Sequence, residues 1–116
     1  MKFNHEKHRH DCWNNSWWTS CFNQEWVTQL KDIGWHESLD DAAGTISFDF
    51  DMRVASKSGN VRRTKFITVK FDRNGNGPVV EMSATITEET KAIFMVRYAE
   101  LIALLSNFGL LDYQTR

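Results

Sequence analysis

The chain has 116 residues, of which 41% are apolar and 13% aromatic, so it is long enough for one packed domain and too short for two. Its single proline and six glycines argue against a low-complexity chain, and no run of about 18 uncharged apolar residues suggests a transmembrane helix. The net charge is −1, and the polar start lacks the apolar core of a signal peptide, so we expect an intracellular protein with reduced cysteines.

The first part of the chain divides into a leader and a helix. Residues 1–13 are predicted to be a polar N-terminal leader outside a single α+β domain over residues 14–116. Large apolar side chains then recur at helical spacing, which predicts a helix from about Ser16 to Ile33 that ends at Gly34. Trp13 and Trp17 lie on a second apolar stripe of this helix, which makes them candidates for binding a partner.

Alternating apolar and polar residues predict three strands after an acidic, turn-like stretch over residues 34–44. The strands cover residues 46–54, 61–71 and 80–86, and turns at residues 57–60 and 72–78 join them. Such short connections are typical of an antiparallel meander.

A second helix is predicted over residues 87–108, where Thr87 caps the start and Gly109 stops the end. Its apolar residues cover most of its circumference, which requires burial on more than one side. Either the first helix covers the second side, or a second copy or another protein does. The predicted fold class is therefore α+β, in the order α-β-β-β-α, with a three-stranded antiparallel meander packed against two helices.

Positive charge is concentrated in residues 53–73. This segment holds one acid, Asp72, and seven basic residues, which are Arg53, Lys57, Arg62, Arg63, Lys65, Lys70 and Arg73. A basic β-hairpin can follow a phosphate backbone, and Phe66 on the same strand could stack on a base. Alternatively, Arg62, Thr64 or Lys70 pairs with Asp49 and Asp51 on the neighbouring strand, which would leave an ordinary polar surface.

Two segments have the residue types of metal sites. His5, His8, His10 and Cys12 are possible zinc ligands, but no second ligand pair follows them, so an inert leader is the alternative. The stretch from Asp72 to Gly77 matches the first half of a calcium loop, although its twelfth position is Ser83. We therefore expect a tight β-turn there, and no cofactor.

The chain contains none of the nucleophile, phosphate-binding or zinc-protease motifs that would indicate catalysis. The sequence thus favours a small non-enzymatic regulator or inhibitor of the kind found among phage and mobile-element accessory proteins. We expect it to dock on a protein partner, such as one that handles nucleic acid. Its predicted partner-binding residues are Trp13, Trp17, Arg62, Arg63 and Lys65, and a homodimer through the 87–108 helix is possible. The alternatives are direct nucleic-acid binding by the basic hairpin and zinc binding by the N-terminal cluster.

Overall fold

The computed structural model describes residues 1–8, 25–40, 43–55 and 65–112. Its helices are α1 (Glu25–Asp32), α2 (Met52–Ala55) and α3 (Glu88–Asn107), and residues 5–8 form a further helical turn. Its strands are β1 (Lys2–Phe3), β2 (Trp35–Asp40), β3 (Thr45–Phe50), β4 (Ile67–Phe71), β5 (Val79–Met82) and β6 (Leu111–Asp112). The structure thus confirms a mixed helix-and-sheet fold.

The main sheet is antiparallel, and its four strands lie in the order β2-β3-β4-β5, each beside its neighbour in sequence. The predicted meander therefore has one strand more than expected, because β2 lies in the stretch that was predicted to be an acidic turn. Glu37 stands opposite the fully buried Phe48 and so lies on the core face of β2, where the alternating pattern requires an apolar residue. Because of this one carboxylate, β2 lacks the alternation of apolar and polar residues that would have predicted a strand.

Glu37 is tolerated on the core face because the His8 side chain, from the N-terminal segment, contacts it. The His8 Nε2 atom lies 2.6 Å from the Glu37 carboxylate, and His8 is 5% exposed. The Glu37 side chain is 14% exposed, and an acid with such a partner avoids most of the cost of losing water. The acid in β2 therefore depends on a partner 29 positions earlier in the chain, and the sequence of β2 alone does not reveal that partner.

The N-terminal segment is part of the fold, which corrects the prediction of a polar leader for residues 1–8. β1 pairs with β6, the Phe3 N–H donates to the Gly75 carbonyl at 2.7 Å, and the Phe3 ring is 3% exposed. That ring packs against Phe48 and Phe71 of the main sheet, with centroids 6.1 and 5.3 Å away. Polar composition suggested a leader, but one phenylalanine and one histidine anchor the segment. Residues 9–13 lie outside the described residues.

Two predicted strands end early. The strand predicted to reach Val54 stops at Phe50, because the Asp51 carboxylate accepts the Arg53 backbone N–H at 3.0 Å and starts the short helix α2. The strand predicted to reach Ile86 stops at Met82, and the Ile86 N–H turns back to the Ser83 carbonyl. The described parts of the remaining elements keep their predicted type, whereas residues 16–24 and 61–64 lie outside the described residues.

Helices α1 and α3 pack on the core face of the sheet. Trp35 is fully buried there, and its indole N–H donates to the Arg97 carbonyl of α3 at 3.2 Å. The Phe94 ring of α3 meets Trp35 and Phe50 at 6.2 and 6.5 Å. α3 follows its predicted bounds closely, since the Thr87 side chain accepts the Thr90 N–H as an N-cap. The opposite face of the sheet carries polar side chains on β3 and β4, and the exposed Val79 on β5.

Candidate protein-interaction surface

Helix α3 has two apolar faces, and only one of them packs on the core. Its buried side chains are Phe94, Leu101, Ile102, Leu104 and Leu105. An ordinary surface helix carries charged or polar residues on the side opposite such a set. The far side of α3 therefore shows whether this helix follows that rule.

The far side of α3 is apolar along its middle turns. Ala92, Val96, Ala99 and Ala103 are all exposed, and their spacing of four, three and four residues keeps them on one side of the helix. Met95 flanks them, and Met95 and Val96 are 60% and 61% exposed. We name these five residues the α3 outer face. Scattered exposed apolar residues are normal, but a continuous row along one helix is typical of an interaction site.

The charges beside the α3 outer face are paired within the helix. Lys91 Nζ lies 3.3 Å from the Glu88 carboxylate, and Arg97 Nη1 lies 2.8 Å from the Glu100 carboxylate. Each pair joins residues three apart on an exposed part of the helix, so its contribution to stability is small. These pairs flank the apolar row, and Glu89 adds a negative charge at the N-terminal end of the row.

A second exposed apolar group lies on β5, an edge strand of the main sheet. Val79 and Val80 are 56% and 38% exposed. Within the described residues β5 pairs with β4 alone, and it is four residues long. A short edge strand offers few backbone groups to a partner strand, so β5 is a smaller surface than the α3 outer face.

Arg53 and Lys70, two of the four described cations of the basic segment, form ion pairs with acids. Arg53 donates to both carboxylate oxygens of Asp51 at 3.0 Å, and Lys70 lies 3.0 Å from Glu81 on the adjacent strand. The side-chain hydrogen bond from Arg53 is the main reason that the pKa of Asp51 is lowered. Asp49 instead accepts a hydrogen bond from Thr68 at 2.9 Å. Of the expected partners of Asp49 and Asp51, Lys70 binds Glu81, whereas Arg62 and Thr64 lie outside the described residues.

Three of the remaining predicted binding residues are described. Phe66 is 46% exposed and Lys65 is partly buried, just before β4 begins, and Arg73 is exposed on the turn after β4. The other five lie outside the described residues: Trp13, Trp17, Lys57, Arg62 and Arg63. Of the five predicted partner-binding residues only Lys65 is described, so the partner-binding site predicted from the sequence stays a prediction.

The predicted zinc ligands include two described histidines, and both already bind other groups. The His5 ring lies 2.7 Å from the Asp72 carbonyl, which can only accept, so the His5 Nε2 atom is the donor. His8 Nε2 binds Glu37, while His10 and Cys12 lie outside the described residues. Within the described part of the chain, no three His, Cys, Asp or Glu side chains lie close enough to hold a metal ion.

The proposed calcium loop is a turn whose carboxylate binds its own backbone. Asp72 Oδ1 accepts the N–H groups of Asn74 and Asn76 at 2.9 and 2.8 Å. The Asn76 hydrogen bond is the largest cause of the lowered pKa of Asp72. Gly75 has a φ of 81°, as an Asn-Gly turn requires. This carboxylate stabilises a β-turn, in line with the expectation of a plain turn.

No protein-family model, curated protein or solved structure matches this chain significantly. None of the helices in the described residues is both long and apolar enough to cross a membrane.

The sequence predicted that α3 has a second apolar side but did not identify the residues on it. Exposure along the row from Ala92 to Ala103 provides that information.

Proposed function

We propose that this protein is a small intracellular, non-enzymatic binding protein that acts by docking on a protein partner through the α3 outer face. The observation that carries the proposal is the continuous exposed row from Ala92 to Ala103, with Met95 and Val96 beside it. Burying such side chains against an apolar partner removes them from water, which is the main source of free energy in protein association.

The composition of the α3 outer face suits protein binding. Methionine is flexible and polarisable, so it fits irregular apolar partners, and alanines allow a partner to approach the helix backbone closely. The flanking ion pairs supply the polar rim that surrounds most interfaces. A regulator or inhibitor needs no catalytic group, only a surface of this kind.

Site-specific photo-crosslinking in the cells that make the protein tests the proposal. A photoreactive residue in place of Val96 should yield a discrete protein adduct. The matched control is the same residue in place of Val79, a valine of similar exposure on β5. An adduct at Val96 that Ala99→Glu abolishes would support docking through α3. Equal labelling at both positions, or none at either, would refute it.

Direct nucleic-acid binding is a second candidate, because Phe66 has an exposed ring and directly follows Lys65 in the chain, just before β4. An exposed aromatic ring next to a cation can stack on a base while the cation meets a phosphate. Anisotropy titrations of labelled single strands and duplexes test it. Binding that weakens steeply with salt and disappears in Phe66→Ala would favour this candidate. Unchanged binding in that variant would remove the ring from the mechanism.

A further inference from the structure

The spacing of residues on the α3 outer face is the same when the helix is read in either direction. Ala92, Val96, Ala99 and Ala103 are separated by four, three and four residues. Alternating steps of three and four are the spacing by which two helices pack along a shared seam. A row with this symmetry presents the same pattern to a helix that runs in the opposite direction.

We infer that the α3 outer face binds a second copy of this chain, with the two α3 helices packed antiparallel. This deepens the proposed function and rests on it, since both assign protein binding to the same surface. Centring the two helices between Val96 and Ala99 places Val96 against Ala99 of the second copy, and Ala92 against its Ala103. The one large side chain of the row then meets a small one, and alanines elsewhere allow axes about 8 Å apart.

The charges of α3 favour a second copy and fix its direction. The flanks carry two ion pairs closed within the helix, Glu88 with Lys91 and Arg97 with Glu100, which leaves the negative Glu89 as the further charge near the N-terminal end of the row. A parallel arrangement would bring Glu89 of one copy beside Glu89 of the other. The antiparallel arrangement places each acidic turn beside a last turn without charged side chains, which avoids that repulsion.

The size of the row limits the strength of the dimer. From Ala92 to Ala103 the row is about 17 Å long, at 1.5 Å for each residue. This is shorter than a standard interface, which buries roughly 800 Å² on each partner. We therefore expect a reversible dimer that forms at micromolar or higher concentration, rather than a permanent one.

Sedimentation velocity over a range of concentrations tests self-association. The wild-type chain should shift from monomer to dimer as its concentration rises, and Val96→Glu should weaken the dimer at least about tenfold, because a buried glutamate would lack a partner. Val79→Glu is the matched control and should associate like the wild type. Circular dichroism checks that both variants fold. A chain that stays monomeric, or a dimer that only Val79→Glu disrupts, would overturn the inference.

Disulfide mapping tests the direction of the two helices. A mixture of Ala92→Cys and Ala103→Cys chains, oxidised and analysed by peptide mass spectrometry, should link position 92 to position 103. Links from 92 to 92 would indicate parallel packing and contradict the inference. A monomeric chain whose Val96 photo-adduct contains a different protein would refute the second copy and leave the proposed function standing. A chain that stays monomeric and gives no Val96 photo-adduct would refute both the second copy and the proposed function.

Discussion

The Phe3→Ala substitution gives a sharp test of how the N-terminal segment joins the fold. The Phe3 ring is 97% buried, since only 3% of it is exposed, and it packs against Phe48 and Phe71 of the sheet. Replacing a buried phenylalanine by alanine costs roughly 3–5 kcal/mol through lost transfer energy and the cavity that remains. We take about 3 kcal/mol, because β1 has two residues and the site can partly collapse.

This cost is large for a chain of 116 residues. Domains of this size have a free energy of unfolding of roughly 5–15 kcal/mol, so the substitution would remove a substantial fraction of it. A loss of 1 kcal/mol lowers the melting temperature by roughly 3–5 °C at this length, so we expect a decrease of about 10–15 °C. Urea unfolding should show a lower midpoint with an unchanged m-value.

Lys2→Ala is the matched control for Phe3→Ala. Lys2 lies on the same two-residue strand with an exposed side chain, so its loss should change stability by less than about 0.5 kcal/mol. If Phe3→Ala changed stability by less than about 1 kcal/mol, the ring would not be a core residue, and the segment would be the inert leader that its composition suggested.

Three further predictions concern the His8–Glu37 pair, the turn at Gly75 and the dependence of stability on pH. His8→Ala should lower the free energy of unfolding by about 3 kcal/mol in urea titrations, since it leaves the mostly buried Glu37 carboxylate without this partner. The control is His36→Ala at an exposed histidine, which should cost less than about 0.5 kcal/mol. Gly75→Ala should cost more than Gly109→Ala, which we place at about 1 kcal/mol: both have positive φ, but only the first Cβ would overlap a backbone carbonyl. The pKa of Asp72 is lowered by folding, so its stabilisation is present above about pH 3.8 and is lost as pH falls through the folded-state pKa. Asp72→Asn should therefore melt with a flatter dependence on pH below 4 than the wild type, and an unchanged slope would exclude this role.

The parts of the fold that were predictable are those whose signals are local. α3 has a capping threonine, acids in its first turn and a glycine after its end, so its bounds followed from neighbouring residues. β3 and the described part of β4 alternate cleanly between buried and exposed residues. These elements have the same pattern in the sequence and in the structure.

The parts that were missed depend on distant residues. β2 has an acid at its centre, and His8 compensates for that acid from the N-terminal segment. β1 needs β6 and the Gly75 carbonyl, which lie more than 70 residues along the chain. No local window of sequence contains the partners of β1 and β2. The early end of β3 is different, because the Asp51 cap that starts α2 is local, but the alternating apolar pattern continues past it.

The candidate surface was predictable in part. An almost uncharged helix indicated a second apolar side, and the structure identifies the residues on it, from Ala92 to Ala103. The predicted site around Trp13 and Trp17 lies outside the described residues and stays a prediction.

The most direct test of the α3 outer face is methyl NMR of the full chain at concentrations from roughly 10 µM to about 1 mM, a range that spans weak dimers. If this face binds a second copy, the methyl signals of Met95 and Val96 shift progressively with concentration, while those of Val79 and Val80 on β5 stay fixed. Shifts confined to Val79 and Val80 would place the interface on the sheet edge. Signals that stay fixed at all four residues, together with no Val96 photo-adduct in cells, would contradict the account.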